Sequence, residues 1–192
     1  LGYSTNVLAE IEAWQAVALA DPTHHGLRAR VNLGICKFLE RDFSSARRHL
    51  AAANGIQKIA SPEYRNERVF QQYLSEVLKR QDNGDFDIST CATDDILYVI
   101  GESHSLVSHR LRIRRENSHV SFVAKLIKGC MQWHLGKNTR NQYKAHFEKI
   151  FETLPRASSV LLSIGEIDCR LDSGVIKHKA KSSEKTSEPS VF

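Results

Sequence analysis

The sequence predicts two parts in series: helical hairpins, then an α/β domain built on a parallel sheet. Three observations carry this. Apolar residues recur at helical spacing as far as Gln81. The stretch Gln81-Asp82-Asn83-Gly84-Asp85 then breaks the pattern. Beyond it, two apolar runs each stop at a glycine that leads into acidic and reactive residues. One is DILYVIGESHSL at residues 95–106; the other, residues 159–164, runs into Gly165, Glu166, Ile167, Asp168, Cys169 and Arg170. Strands alternating with helices favour a parallel sheet, whose sites gather at the carboxyl ends of its strands.

The elements follow in order. Residues 6–20 form the first predicted helix, with Val7, Ile11, Trp14 and Ala18 on one face and Asp21-Pro22 as its stop. Two more helices, residues 27–39 and 44–53, are joined by the polar turn Glu40-Arg41-Asp42. A longer one covers residues 62–81; Pro62 suits its first turn and Ser61 its N-cap. Strands are expected at residues 95–100, 119–128 and 159–164, with helices just after Ser103 and across residues 139–153. The tail, KHKAKSSEKTSEPSVF, is polar and nearly without apolar anchors, so disorder is expected there. The expected division is residues 1–82 helical, 83–94 linker, 95–176 α/β and 177–192 tail.

Composition limits the function classes. The apolar fraction of 41% and charged fraction of 26% are those of an ordinary globular chain. No stretch approaches the roughly 20 apolar residues of a membrane span. The opening residues lack the basic and apolar blocks of a secretory signal, and the chain starts without Met, so it is expected to begin within a longer protein. Cys36, Cys91, Cys130 and Cys169 show no C-x-x-C or zinc-finger spacing and read as reduced thiols of a cytoplasmic protein. The net charge of +5 rests on local clusters, notably Arg110, Arg112, Arg114 and Arg115. No aromatic residues interleave with these arginines to stack bases, so they read as a solvated strand or loop face rather than a nucleic-acid surface.

The second and third helices resemble a tetratricopeptide repeat. Leu33-Gly34, Phe43, Ala46, Leu50 and Ala53 fall where that family places its packing residues, and Trp14 with Pro22 resembles the end of a preceding repeat. Val17 stands where the family has Ala and Lys37 where it has an aromatic; the connection 23–26 is longer than the family's. A generic helical hairpin would share the same spacing. Because repeats stack on neighbours, Leu1 is expected to cut a longer array, and the resemblance implies a protein partner for these helices.

The pairing of GESHS with GEIDCR is similar to the SGNH/GDSL hydrolases, including SGNH-like domains fused to tetratricopeptide repeats. The likeness spans residues 94–174 and implies a partial flavodoxin-like parallel sheet. It makes Ser103 the nucleophile, with Glu102 in place of the family's Asp. Taken alone, Gly-Glu-Ser reads equally as a turn in which Ser103 caps a helix. Gly129 is the implied backbone donor to an oxyanion, and Asp168 is implied to brace its loop through Arg170. Ile167 replaces the family's Asn donor, a loss of about two to three orders of magnitude in rate.

The family's Asp-x-x-His block has no counterpart: Val175 precedes the late His178 by three residues. His134, after a predicted strand, is the candidate base within the chain; His104 is expected to point away from Ser103. A serine without a base is a feeble nucleophile. The α/β part is therefore expected to be C-terminally incomplete and inert as it stands.

The resemblance implies ester hydrolysis or acyl transfer on an acylated small molecule or glycan, without a cofactor. No metal is expected, because carboxylates such as Glu166 and Asp168, with Glu102, more often bond backbone amides. The rival reading is a non-catalytic interaction module whose second half is a degenerate SGNH-like domain.

Overall fold

In a computed structural model, residues 5–21, 24–57, 62–84, 94–170 and 179 are described. The chain divides into two compact units, residues 1–89 and 90–192.

The first unit is helical: α1 (Thr5–Ala20), α2 (His24–Leu39), α3 (Phe43–Gln57) and α4 (Arg65–Asp82). A 3-10 turn at Pro62–Tyr64 precedes α4, so Pro62 opens that turn rather than the α-helix itself. The N-cap expected at Ser61 lies outside the described residues.

The apolar spacing read from the sequence is the buried face. Leu27, Leu33, Phe38, Ala46, Leu50, Ala53, Leu74 and Leu78 are all buried, and Trp14 packs against Ala18, Ala29 and Leu33. Gly34 shows how tightly α2 and α3 meet: a Cβ there would stand 2.8 Å from Cδ2 of Leu50. Two polar contacts attach α4. Gln71 donates Nε2–H to the Leu50 carbonyl at 3.1 Å, and Arg28 donates Nε–H to the nearly buried Glu67 at 2.9 Å. Helix α4 ends at Asn83, with Gly84 in the left-handed region beyond it.

The second unit is mixed α/β. Its strands are β1 (Asp95–Gly101), β2 (Arg112–Arg115), β3 (Ser118–Leu126) and β4 (Ser159–Ser163), in the order β2-β3-β1-β4. Strand β1 is central and parallel to both β3 and β4; Val99 lies opposite Ala124 on one side and Leu161 on the other. Strand β2 is the arginine-rich segment and runs antiparallel to β3, so the sheet is mixed rather than wholly parallel. A charged, exposed strand of this kind suits a sheet edge, where it discourages pairing with other chains. A buried clasp anchors it: Arg112 donates Nε–H and an Nη2–H to the two oxygens of Asp94 at 2.8 and 3.0 Å, and Ser121 donates to Asp94 at 2.7 Å.

Two helices complete the described part, α5 (Gln132–Gly136) and α6 (Gln142–Thr153). Asn141 caps α6, its side chain accepting from the Tyr143 and Lys144 amides. Helix α6 lays Phe147 and Ile150 against Ile100, Ile127, Cys130 and Val160. The segment after Ser103 is a 3-10 helix, Ser103–Ser108, not an α-helix. Its serines account for the tighter winding: Ser105 and Ser108 donate their hydroxyls to carbonyls three residues back, Glu102 and Ser105. The tail read as disordered falls outside the described residues apart from Lys179.

Gly101 sets the spacing at the top of the sheet. It pairs with Leu126 and Ser163, and a Cβ there would meet the Ser163 carbonyl oxygen at 2.3 Å. Backbone cannot yield as a flexible side chain would. Gly101→Ala should therefore destabilise the second unit by about 1–3 kcal/mol, the usual range for overpacking. Gly136→Ala, where a Cβ would meet nothing within 4 Å, should be neutral or better. Urea unfolding of the two variants checks this, and equal stability would refute the close-approach argument.

Candidate active site

The site is built where β1 and β4 end. Because they run parallel in register, Gly101 and Ser163 lie side by side, and the chain leaves both strands in the same direction. The Glu102 amide continues the pairing by donating to the Ser163 carbonyl at 3.3 Å. The two glycine-acidic motifs, at Gly101 and Gly165 and 64 positions apart in the chain, thus meet at one sheet edge.

Glu102 is the centre of the arrangement. It is 1% exposed. One carboxylate oxygen accepts from the Ser103 hydroxyl at 3.1 Å, and the other lies 3.0 Å from Nδ1 of His104. Ser103 itself is half-buried, and its hydroxyl goes to this carboxylate rather than to backbone. The residue at the N-cap of the 3-10 helix is Glu102, with no side-chain cap bond, so Ser103 does not cap a helix.

His104 is the site residue that sequence reasoning set aside. The bend from strand into 3-10 helix turns it back onto Glu102, two residues earlier. It is half exposed, and Nδ1 also lies 3.7 Å from Glu166 on the second motif. With Nδ1 protonated and donating to Glu102, Nε2 is left with its lone pair. This is the orientation that a carboxylate imposes on a catalytic imidazole. The signal in the sequence was the Glu-x-His spacing, legible only once the bend is known.

The second motif is fixed from two directions. Asp168 is buried and accepts the Gln132 amide at 2.7 Å through Oδ2; its bracing partner is the start of α5, not Arg170. Arg170 instead pairs with Glu166, at 2.6 Å for the shortest contact. Gln132 also donates Nε2–H to the Ile164 carbonyl at 3.2 Å. Gly165, at φ +122°, holds a backbone conformation that residues with side chains rarely adopt, and a Cβ there would also displace the Gln132 amide, 2.6 Å away. Gln132 is a second residue that sequence reasoning missed.

The remaining candidates are placed differently. Gly129, at φ +71°, lies in the exposed turn after β3, and among the described residues no hydrogen bond links it to Ser103. His134 is held in α5: its Nδ1 accepts the Met131 amide at 3.0 Å and its ring stacks on Tyr143 at 3.9 Å. An imidazole accepting at Nδ1 carries its proton on Nε2 and is a donor there, not a base. Burial, aided by Lys137 and opposed by Asp168, holds the His134 pKa below the usual imidazole range, in keeping with this neutral form. Cys130 is buried beneath the site, and its thiol is pushed up to about 11 by burial and then by Asp168 and Glu102.

Comparison of the chain with protein-family models, with curated proteins and with solved structures finds no match. No helix among the described residues is long and apolar enough to cross a membrane.

Two outcomes are expected. Thiolates, not thiols, react with alkylating reagents. Iodoacetamide at neutral pH should therefore modify exposed Cys169 and leave Cys130 untouched until the chain unfolds. Peptide mapping by mass spectrometry reads this directly; prompt alkylation of Cys130 in the folded chain contradicts its burial.

The second concerns acid. Burial lowers the pKa of both His134 and His146. The folded form thus resists their protonation, so the stability they contribute is full above the unfolded value of about 6.5 and is lost as pH falls through the folded values. The melting temperature should drop from about pH 7 to about pH 5, and the drop should shrink in His146→Gln.

Proposed function

We propose that the second unit carries an acyl-ester hydrolase or acyltransferase centre of the SGNH type, and that the helical unit, tetratricopeptide-like, binds a protein partner. One observation supports the catalytic part above the others. Ser103 and His104 share the buried Glu102 carboxylate at the carboxyl end of the central parallel strand, beside the Glu166–Asp168 turn. In this reading Ser103 attacks the acyl carbon of an ester, and Nε2 of His104 is the imidazole that takes a proton. Glu102 fixes the His104 tautomer and stabilises the imidazolium that forms. Asp168 and Gln132 hold the opposite wall. In this reading the substrate is an acylated glycan or small molecule.

One feature favours the rival, non-catalytic reading. The Ser103 hydroxyl bonds the carboxylate and not the imidazole, and a carboxylate is a far weaker base. With Ile167 where an amide donor would help, turnover is expected to be slow.

Hydrolysis of p-nitrophenyl acetate by the wild type, Ser103→Ala and His104→Ala separates the readings. The acyl-transfer reading expects a slow reaction abolished in Ser103→Ala and reduced about 100-fold in His104→Ala, the usual contribution of a general base. Hydrolysis that is indifferent to Ser103 transfers the assignment to an interaction module.

A further inference from the structure

The same edge holds a donor set that acyl transfer does not use as a set. One carboxylate oxygen of Glu102, a ring nitrogen of His104 and one carboxylate oxygen of Glu166 all lie within 4.8 Å of one another. His104 Nδ1 stands 3.0 Å from Glu102 Oε1 and 3.7 Å from Glu166 Oε2. A cation with bonds of ~2.1 Å has neighbouring ligand atoms about 3.0 Å apart in an octahedron and about 3.4 Å apart in a tetrahedron. The two spacings from His104 Nδ1 bracket those edges, and the Glu102 and Glu166 oxygens lie within 4.8 Å of each other, so a small side-chain adjustment brings all three atoms onto one ion. Imidazole with two carboxylates is a nitrogen and oxygen set that suits zinc or its first-row neighbours rather than calcium.

A second observation comes from Asp168. It is 3% exposed, and its Oδ1 has no hydrogen-bond partner among the described residues. An orphaned carboxylate oxygen in the interior is costly. It sits two residues after Glu166 on the same turn, and its charge, like that of Glu102, raises the pKa of the buried Cys130 thiol. Glu166 is paired with Arg170, whose side chain is exposed.

We propose that Glu102, His104 and Glu166 bind one divalent transition-metal ion of the zinc class, with the free oxygen of Asp168 as an outer acceptor for a water on that ion. The backbone bonding expected of these carboxylates is made at Asp168 Oδ2. Arg170 must release one Glu166 oxygen, which its exposed position allows. The proposal does not rest on acyl transfer. A cation takes the Nδ1 lone pair of His104, whereas the serine reading needs Nδ1 protonated on Glu102; occupancy would therefore silence the serine reaction.

Calorimetric titration of the full, chelator-treated chain with Zn²⁺ tests the site without any turnover. One saturable equivalent is expected, with affinity reduced roughly tenfold or more in Glu166→Gln and in His104→Ala, since each removes one of three ligands. Both positions are exposed, and circular dichroism verifies that the variants fold. Co²⁺ should give a visible absorption band that the same variants lose. No saturable uptake, or uptake of equal affinity in wild type and both variants, overturns the proposal. Ester hydrolysis may fail in either case without bearing on it.

Discussion

Everything at the candidate site depends on the close parallel pairing of β1 with β4 at Gly101. A side chain there would collide with the Ser163 carbonyl, so glycine alone lets the two strands end level. Level ends bring the Glu102–His104 bend against the Glu166–Asp168 turn. Had the strands been staggered by a residue, Glu166 would not reach His104 and the Glu102 amide would lose its acceptor. The geometry of the chemistry is thus set by a backbone contact, and the reactive side chains inherit it.

Burying Glu102 is the second constraint. A carboxylate withdrawn from water is costly unless its oxygens are matched. Here one oxygen is matched by a hydroxyl and the other by an imidazole, both supplied by the next two residues. So local a solution requires the sharp 3-10 winding that follows the strand, which Ser105 and Ser108 support by bonding back to the carbonyls. The four-residue motif is therefore self-contained: strand end, buried acid, hydroxyl, imidazole. Asp168 solves the same problem by a different route, taking a backbone amide of α5 on one oxygen and leaving the other free.

Much of this fold was legible in the sequence because its signals are periodic. The helical spacing of α2–α4 and the apolar run of β1 mark elements whose cores are buried, whereas β4 was legible from its apolar run although Leu161 and Leu162 are exposed. The arginine strand β2 read as a solvated strand or loop face, since its short Arg-Ile-Arg alternation is charge-dominated and places no residue of Arg112–Arg115 in the core. At the site, Ser103 and Asp168 could be named from motif order. The partners could not. His104 faces Glu102 only because of a 3-10 bend, and Gln132 reaches Asp168 and Ile164 across more than thirty residues. His134 looked available as a base, yet its ring is consumed by a backbone amide and a stacked tyrosine, and composition does not reveal such local satisfaction.

The imidazole of His104 is where the two proposed chemistries of this edge would compete. Acyl transfer needs a proton on Nδ1, held by Glu102, so that Nε2 can act as the base. A metal ion needs that same Nδ1 as a lone pair and draws Glu102 away from the Ser103 hydroxyl. His104 lies between the two groups concerned: buried Glu102, 3.0 Å from Nδ1, and Glu166, 3.7 Å from it. Which state prevails depends on how firmly Arg170 holds Glu166, because that ion pair is the only one of these contacts made wholly by exposed side chains. An exposed ion pair is worth little in water, so it is the contact most easily given up. A soft outer pair guarding a rigid inner one allows the site to change occupant without disturbing the sheet that supports it.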